Sequence, residues 1–192
     1  MSHIGAITAK ANRTLGLLKR NIRVPEPDVR ARAYKSLVRP QVEFASSVWD
    51  PPRNQGPSKQ KPSGLCYDVE SVQRRSARFV CRRYRNESSP TDMMSELKWP
   101  KLETRRKYSR LVMLYRVKHG LAGLSFPGFL QPSDSRTRSH SESYRTIGGK
   151  PNCWRDSFLP RTIRDWNDLD ECVVKSGKID QFKTRLAGVL GM

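Results

Sequence analysis

Acids and histidines are scarce in this sequence, and no two aspartates are adjacent: 18 Asp and Glu face 37 Lys and Arg in 192 residues, with three histidines. Phosphoryl transfer and nucleic-acid hydrolysis usually need closely spaced carboxylates that converge on a divalent metal. The densest acid cluster, Asp165, Asp168, Asp170 and Glu171, lacks the glycine bend and the later glutamate of a calcium loop. It reads as a solvated helix face that meets Arg161 and Arg164. His3, His119 and His140 are not matched by any nucleophile elbow, and His119 at a helix end reads as a partner of the helix dipole. Gly148-Gly149-Lys150 lacks the remainder of a phosphate-binding loop. The expectation is a non-catalytic chain with no metal and no cofactor.

Long apolar runs are missing as well. No stretch of 18 apolar residues exists and the N-terminus has no apolar signal core, which disfavours a membrane-spanning or secreted chain. Cys66, Cys81, Cys153 and Cys172 include no CxxC pair, so a zinc ribbon or knuckle is excluded and a reducing compartment, cytoplasm or nucleus, is expected. No repeat of fixed period is present, which argues against a solenoid.

What is abundant is positive charge. The net charge is +19 and the pI about 10.4, and arginine supplies 24 of the 37 cations. Arginine is the side chain best shaped for two-pronged phosphate contact, so an anionic polymer is the expected partner. The charge is unevenly spread: residues 1–150 hold 30 cations against 12 acids, residues 151–192 only 7 against 6. That pattern suits a basic region joined to a neutral cap. Base-composition bias of a genome is the bland alternative source of so many arginines.

Apolar periodicity predicts a mainly α fold, bundle-like. Ile4, Ile7, Ala11, Leu15, Leu18 and Ile22 recur every three or four residues and predict a helix over 2–22, with Arg13 and Arg20 facing away from the stripe. A second helix is expected from Pro27 through Val29, Ala33, Leu37 and Val38, kinked or ended at Pro40 and continuing buried through Val42 to Trp49. Pro51 to Gly64, with four prolines and two glycines, reads as an exposed linker. Further helices are expected over 68–84, 101–119, from Pro160, and along Ile179, Phe182, Leu186 and Leu190. A short one entered at Ser89 should end at Trp99, and Gly120 with Gly123 should stop the 101–119 helix. Tyr144–Ile147 and Cys153–Phe158 are expected to pair as a small β-hairpin near residues 144–158. The implied organisation is an N-terminal helical segment over 1–50, a disordered linker over 51–66, a basic helical segment over 67–130, and a C-terminal part over 131–192.

On the 68–84 helix, Val69, Val72, Phe79 and Val80 share one side. Arg74, Arg75, Arg78, Arg82 and Arg85 fall within an arc of about 100° on the other. This face, the Arg105-Arg106-Lys107 turn, and Arg13 and Arg20 are the candidate phosphate contacts. A merely solvated charged face is the alternative. Trp49, Trp99, Trp154 and Trp166 have apolar or proline neighbours and read as core or lid residues more readily than as base-stacking platforms.

Several blocks resemble the region after the catalytic palm in reverse transcriptases of non-LTR (LINE-type) retrotransposons. They are Ala11-Asn12-Arg13-Thr14-Leu15-Gly16-Leu17-Leu18-Lys19-Arg20, Ala33-Tyr34-Lys35-Ser36-Leu37-Val38-Arg39-Pro40, Glu43-Phe44-Ala45-Ser46-Ser47-Val48-Trp49-Asp50-Pro51 and Val72-Gln73-Arg74-Arg75-Ser76-Ala77-Arg78-Phe79-Val80. The likeness continues through Leu97-Lys98-Trp99-Pro100, Leu102-Glu103-Thr104-Arg105-Arg106, Leu114-Tyr115-Arg116-Val117-Lys118-His119-Gly120 and Ser157-Phe158-Leu159-Pro160-Arg161-Thr162-Ile163-Arg164-Asp165-Trp166-Asn167, in the family's order. The resemblance implies a thumb-like segment that holds RNA template or primer duplex beside the catalytic part of a polymerase. The family's aromatic-Asp-Asp motif has no counterpart here, so no polymerase residue carries over, and Pro51–Tyr67 is longer than the family's usual connection. RNA or DNA, held by its phosphate backbone with little base specificity, is the expected partner. The rival readings are a module for an acidic protein and a retroelement relic without function.

Overall fold

The computed structural model describes residues 2–51, 64–85, 88–124, 126, 128–133, 140–149 and 152–192. They are mainly helical: α1 (His3–Asn21), α2 (Pro27–Ala33), a π-helical turn (Tyr34–Val38), α3 (Arg39–Glu43), α4 (Ser46–Trp49), α5 (Leu65–Cys81), α6 (Pro90–Glu96), α7 (Leu102–Lys118), α8 (Asn152–Arg155), α9 (Phe158–Asn167), α10 (Glu171–Val174) and α11 (Ile179–Val189). Among the described residues no helix is long and apolar enough to cross a membrane. The chain divides into two compact units, Met1–Trp49 with Arg53–Arg105, and Asp50–Pro52 with Arg106–Met192.

In the first unit, Ser2 caps α1 by accepting the Gly5 N–H at 3.2 Å, and the expected stripe turns inward. Ile4, Ala11, Leu15 and Leu18 are buried, and Ile7 and Ile22 flank them. α1 and α2 pack on α5, which contributes Val69, Val72, Ala77, Phe79 and Val80. The second helix departs from expectation. Its buried stripe is Ala31, Tyr34, Val38 and Val42, while Val29 and Leu37 lie exposed. Tyr34 sets this face by stacking on Trp99 with ring centroids 4.4 Å apart. Pro40 neither ends nor breaks the run, because the Arg39 N–H reaches back to the Tyr34 carbonyl in a π-type bond just before it. This wider turn takes in the missing proline N–H and relieves the ring's clash with the preceding turn. The run stops instead at Phe44 and at Ala45, whose φ of 50° is left-handed, and Phe44 and Val48 are exposed rather than buried.

Buried Arg30 fastens α2 to the end of α5. Its Nε and Nη2 donate to the Val80 carbonyl at 2.9 and 2.6 Å, and its Nη1 to the Val24 carbonyl at 2.6 Å. A cation at a helix C-terminus satisfies orphan carbonyls and complements the dipole. α7 is capped from outside: Glu70 accepts the Leu102 and Glu103 N–H groups at 3.2 and 2.8 Å, and Gln73 also accepts that of Leu102.

In the second unit, Leu111, Leu114 and Tyr115 of α7 pack with Trp166, Leu169, Val173, Val174, Phe182 and Leu186. Tyr115 stacks on Phe182 at 4.4 Å and donates its hydroxyl to the Ser176 carbonyl. Gly120, with φ of 67°, closes α7, and the Leu121 N–H returns to the Arg116 carbonyl at 2.7 Å.

The hairpin near 144–158 is not formed. Asn152–Arg155 is helical and Phe158 opens α9. Tyr144 instead bridges to Pro132, between Ser133 N–H to Ser143 O and Arg145 N–H to Gln131 O. The Asn167 side-chain amide supplies the rest, accepting the Tyr144 N–H at 3.0 Å and donating to its carbonyl at 2.7 Å. A carboxamide therefore satisfies the edge that a second strand would have covered. Residues 52–63 of the expected 51–66 linker, and 134–139 of the serine-rich loop, lie outside the described residues. At the linker's ends, Pro51 is buried, and Leu65 and Cys66 already belong to the first turn of α5.

Candidate nucleic-acid interface

The cations fall into two classes according to whether the fold already neutralises them. The Arg105-Arg106-Lys107 turn is internal. Arg105 grips the Glu43 carboxylate through Nε and Nη2. Arg106 is buried and its Nε donates to Asp50 at 2.7 Å. Lys107 pairs with Asp165 at 2.9 Å. Asp50 also lies 3.2 Å from Arg110 and 3.3 Å from Arg161, and Arg110 reaches Asp165 at 2.8 Å. A charge taken from water must be paired, and here Asp50, with 4% of its side chain exposed, anchors three guanidinium groups. The acid cluster accordingly serves other partners than expected. Arg164 donates to the Pro160 and Arg155 carbonyls, and Glu171 pairs with Lys175.

The arginines of α1 and α5 are different. Arg13, Arg20, Arg75, Arg82 and Arg85 are exposed, Arg74 and Arg78 half-buried, and none is ion-paired to a described residue. Arg74 lies over the Tyr67 ring at 4.3 Å, which fixes its stem and leaves its charge uncompensated. Arg75 donates to the Asn12 side chain at 3.2 Å, linking α5 to α1. The five-arginine face is shorter than expected, because α5 ends at Cys81. Arg82 takes the left-handed C-cap conformation with φ of 53°, and Arg85 lies beyond the helix. A left-handed residue ends the 100° progression, so Arg74, Arg75 and Arg78 remain as the helical row.

Arg82 instead turns toward the segment after α1 and donates Nη2 to the Arg23 and Val24 carbonyls at 2.5 and 3.2 Å. Its turn brings Tyr84 beneath Lys19, whose Nζ is 5.6 Å from the ring centre. Desolvation and then the Arg75 charge hold the Lys19 ammonium below the usual lysine range. Lys19, Ile22, Arg23, Phe79, Arg82 and Tyr84 line a cavity of about 310 Å³. The sequence reading missed Lys19, Arg23 and Tyr84. The spacing of Asn12, Lys19 and Arg23 along one flank of the α1 stripe was the available signal.

Of the tryptophans, Trp99 and Trp166 are buried as expected for core residues, Trp49 is half-buried, and Trp154 is exposed. His119 follows the last residue of α7. Its ring lies against Tyr115 at 4.2 Å, and desolvation, with Lys118 second, holds its pKa below the ordinary histidine value. Comparison with models of known protein families, with curated proteins and with solved structures gave no match.

Proposed function

We propose that this chain is a non-catalytic, nucleic-acid-binding piece of a retroelement reverse transcriptase, which holds RNA template or primer duplex by its phosphates. The observation that carries this reading is the contrast just described. Arg105, Arg106 and Arg110 of α7 are spent on carboxylates, whereas Arg74, Arg75 and Arg78, with Arg13 and Arg20 on α1, are ion-paired to no described residue. Arg74 and Arg78 are one turn apart, about 6 Å along the axis at 1.5 Å per residue. Such a row suits successive phosphates and reads no base edge. The likeness of the quoted blocks to the post-palm region supports the same reading, and it makes the catalytic part of the polymerase a proposed partner.

The test is binding of the full chain to labelled RNA–DNA hybrids of two unrelated sequences over a range of salt. The expected result is similar affinity for both, falling linearly in log affinity against log salt. A flat salt response, or displacement of nucleic acid by an acidic polypeptide at lower concentration than by RNA, would favour the acidic-protein reading.

A further inference from the structure

The cavity at the end of α5 combines two chemistries that a phosphate row does not need. Lys19, Arg23 and Arg82 present three cations, Phe79 and Tyr84 present two aromatic rings, and among the described residues no acid lines it. Phe79, 3% exposed, is a fixed floor, and Tyr84, 53% exposed, is a wall open to solvent. The rim is preorganised: Arg82 and Arg30 together hold the Val24 carbonyl, and Arg30 ties it to Val80. Arg82 commits only Nη2 to these carbonyls, so its other N–H groups point to no described acceptor. At about 310 Å³ the space stands at the low end of the roughly 300–1,000 Å³ that holds small ligands. It has room for a single compact unit with one anionic and one flat apolar part.

We propose that this cavity takes one unpaired nucleotide of a nucleic-acid strand, its phosphate among Lys19, Arg23 and Arg82 and its base against Tyr84 and Phe79. The assignment rests on the reading that the first unit binds nucleic acid, and it adds a preference that phosphate contacts alone do not give. A paired base is held in its stack, whereas an unpaired one can lie on an aromatic face. The site therefore favours single strands, or the unpaired end of a duplex, over blunt duplex.

The probes are a short oligouridine strand, the same length of abasic strand, a blunt RNA duplex and adenosine monophosphate, each titrated against the full chain at fixed salt. Tyr84→Ala should weaken oligouridine binding at least about fivefold, leaving blunt-duplex binding and the salt slope unchanged. Tyr84→Trp should restore it. The abasic strand should bind wild type and Tyr84→Ala alike. Saturable adenosine monophosphate binding that Tyr84→Ala abolishes would support the nucleotide site and identify free nucleotide as a second source. Equal loss on strand and duplex, or no loss on either, overturns the assignment while leaving the phosphate row standing. No binding of wild type to any polymer overturns both readings. Because Tyr84 is exposed and beyond the helix, an unchanged circular dichroism spectrum is expected for both variants and separates binding from folding.

Discussion

At the residue scale the fold depends on a few long-range charge contacts. Asp50 is the clearest: Asp50→Ala leaves Arg106, Arg110 and Arg161 in the interior with one carboxylate fewer. The expected loss is about 3–5 kcal/mol, read as a lower denaturation midpoint, and a loss under about 1 kcal/mol would show that Asp50 anchors little. Nothing in the sequence marks this residue, since its three partners lie between 56 and 111 positions along the chain. Pro51 and Pro52 after it mark only the end of a helix, because proline chemistry is local and ion pairing across the chain is not. Glu142 gives a pH dependence of known sign. Its hydrogen bond from Lys118 holds the carboxyl below the usual range. Its stabilisation is therefore present above the ordinary carboxylate pKa and lost as pH falls through the lowered one. The melting temperatures of wild type and Glu142→Gln should differ near neutral pH and converge on acidification. A constant difference at all pH values would contradict this origin.

At the element scale, the parts set by local rules are legible in the sequence. The α1 stripe, the Ser89 entry to α6, where the Ser89 hydroxyl accepts from Thr91 at 3.2 Å, and the Gly120 stop follow rules that act within a turn or two. The second helix rotated because Tyr34 found Trp99, a contact that spacing cannot foresee, and the hairpin failed because Asn167 supplied what a strand would have. The cap of α7 likewise comes from another helix. Glu70→Ala removes the acceptor for the Leu102 and Glu103 N–H groups and should cost about 0.5–2 kcal/mol. Glu70→Gln, which keeps one oxygen, should cost less. Equal losses in the two variants would place the energy in the charge instead of the cap.

At the scale of the whole molecule, composition gives the sign of the net charge and nothing of the surface. A net charge of +19 does not say which cations the fold consumes. Of the ten arginines and lysines singled out from the sequence, the α7 turn proved internal and α5 kept a row of three before its end. With no two aspartates adjacent in the sequence, the full chain should extend no primer with magnesium or manganese. Extension that disappears on substituting a residue of this chain would contradict that expectation.

The central claim is that position, and not total charge, sets nucleic-acid binding, and two variants of equal net charge test it. Arg74, Arg75 and Arg78 changed to glutamine should lower the slope of log affinity against log salt by about 2 to 3 units, at about 0.7 to 0.9 per lost contact. Glutamine keeps the helix. Arg116, Arg145 and Lys178, exposed in the second unit, changed to glutamine should leave the slope nearly as in wild type. Equal reductions in the two triple variants would contradict the account, because bulk charge would then explain the binding without the α5 row.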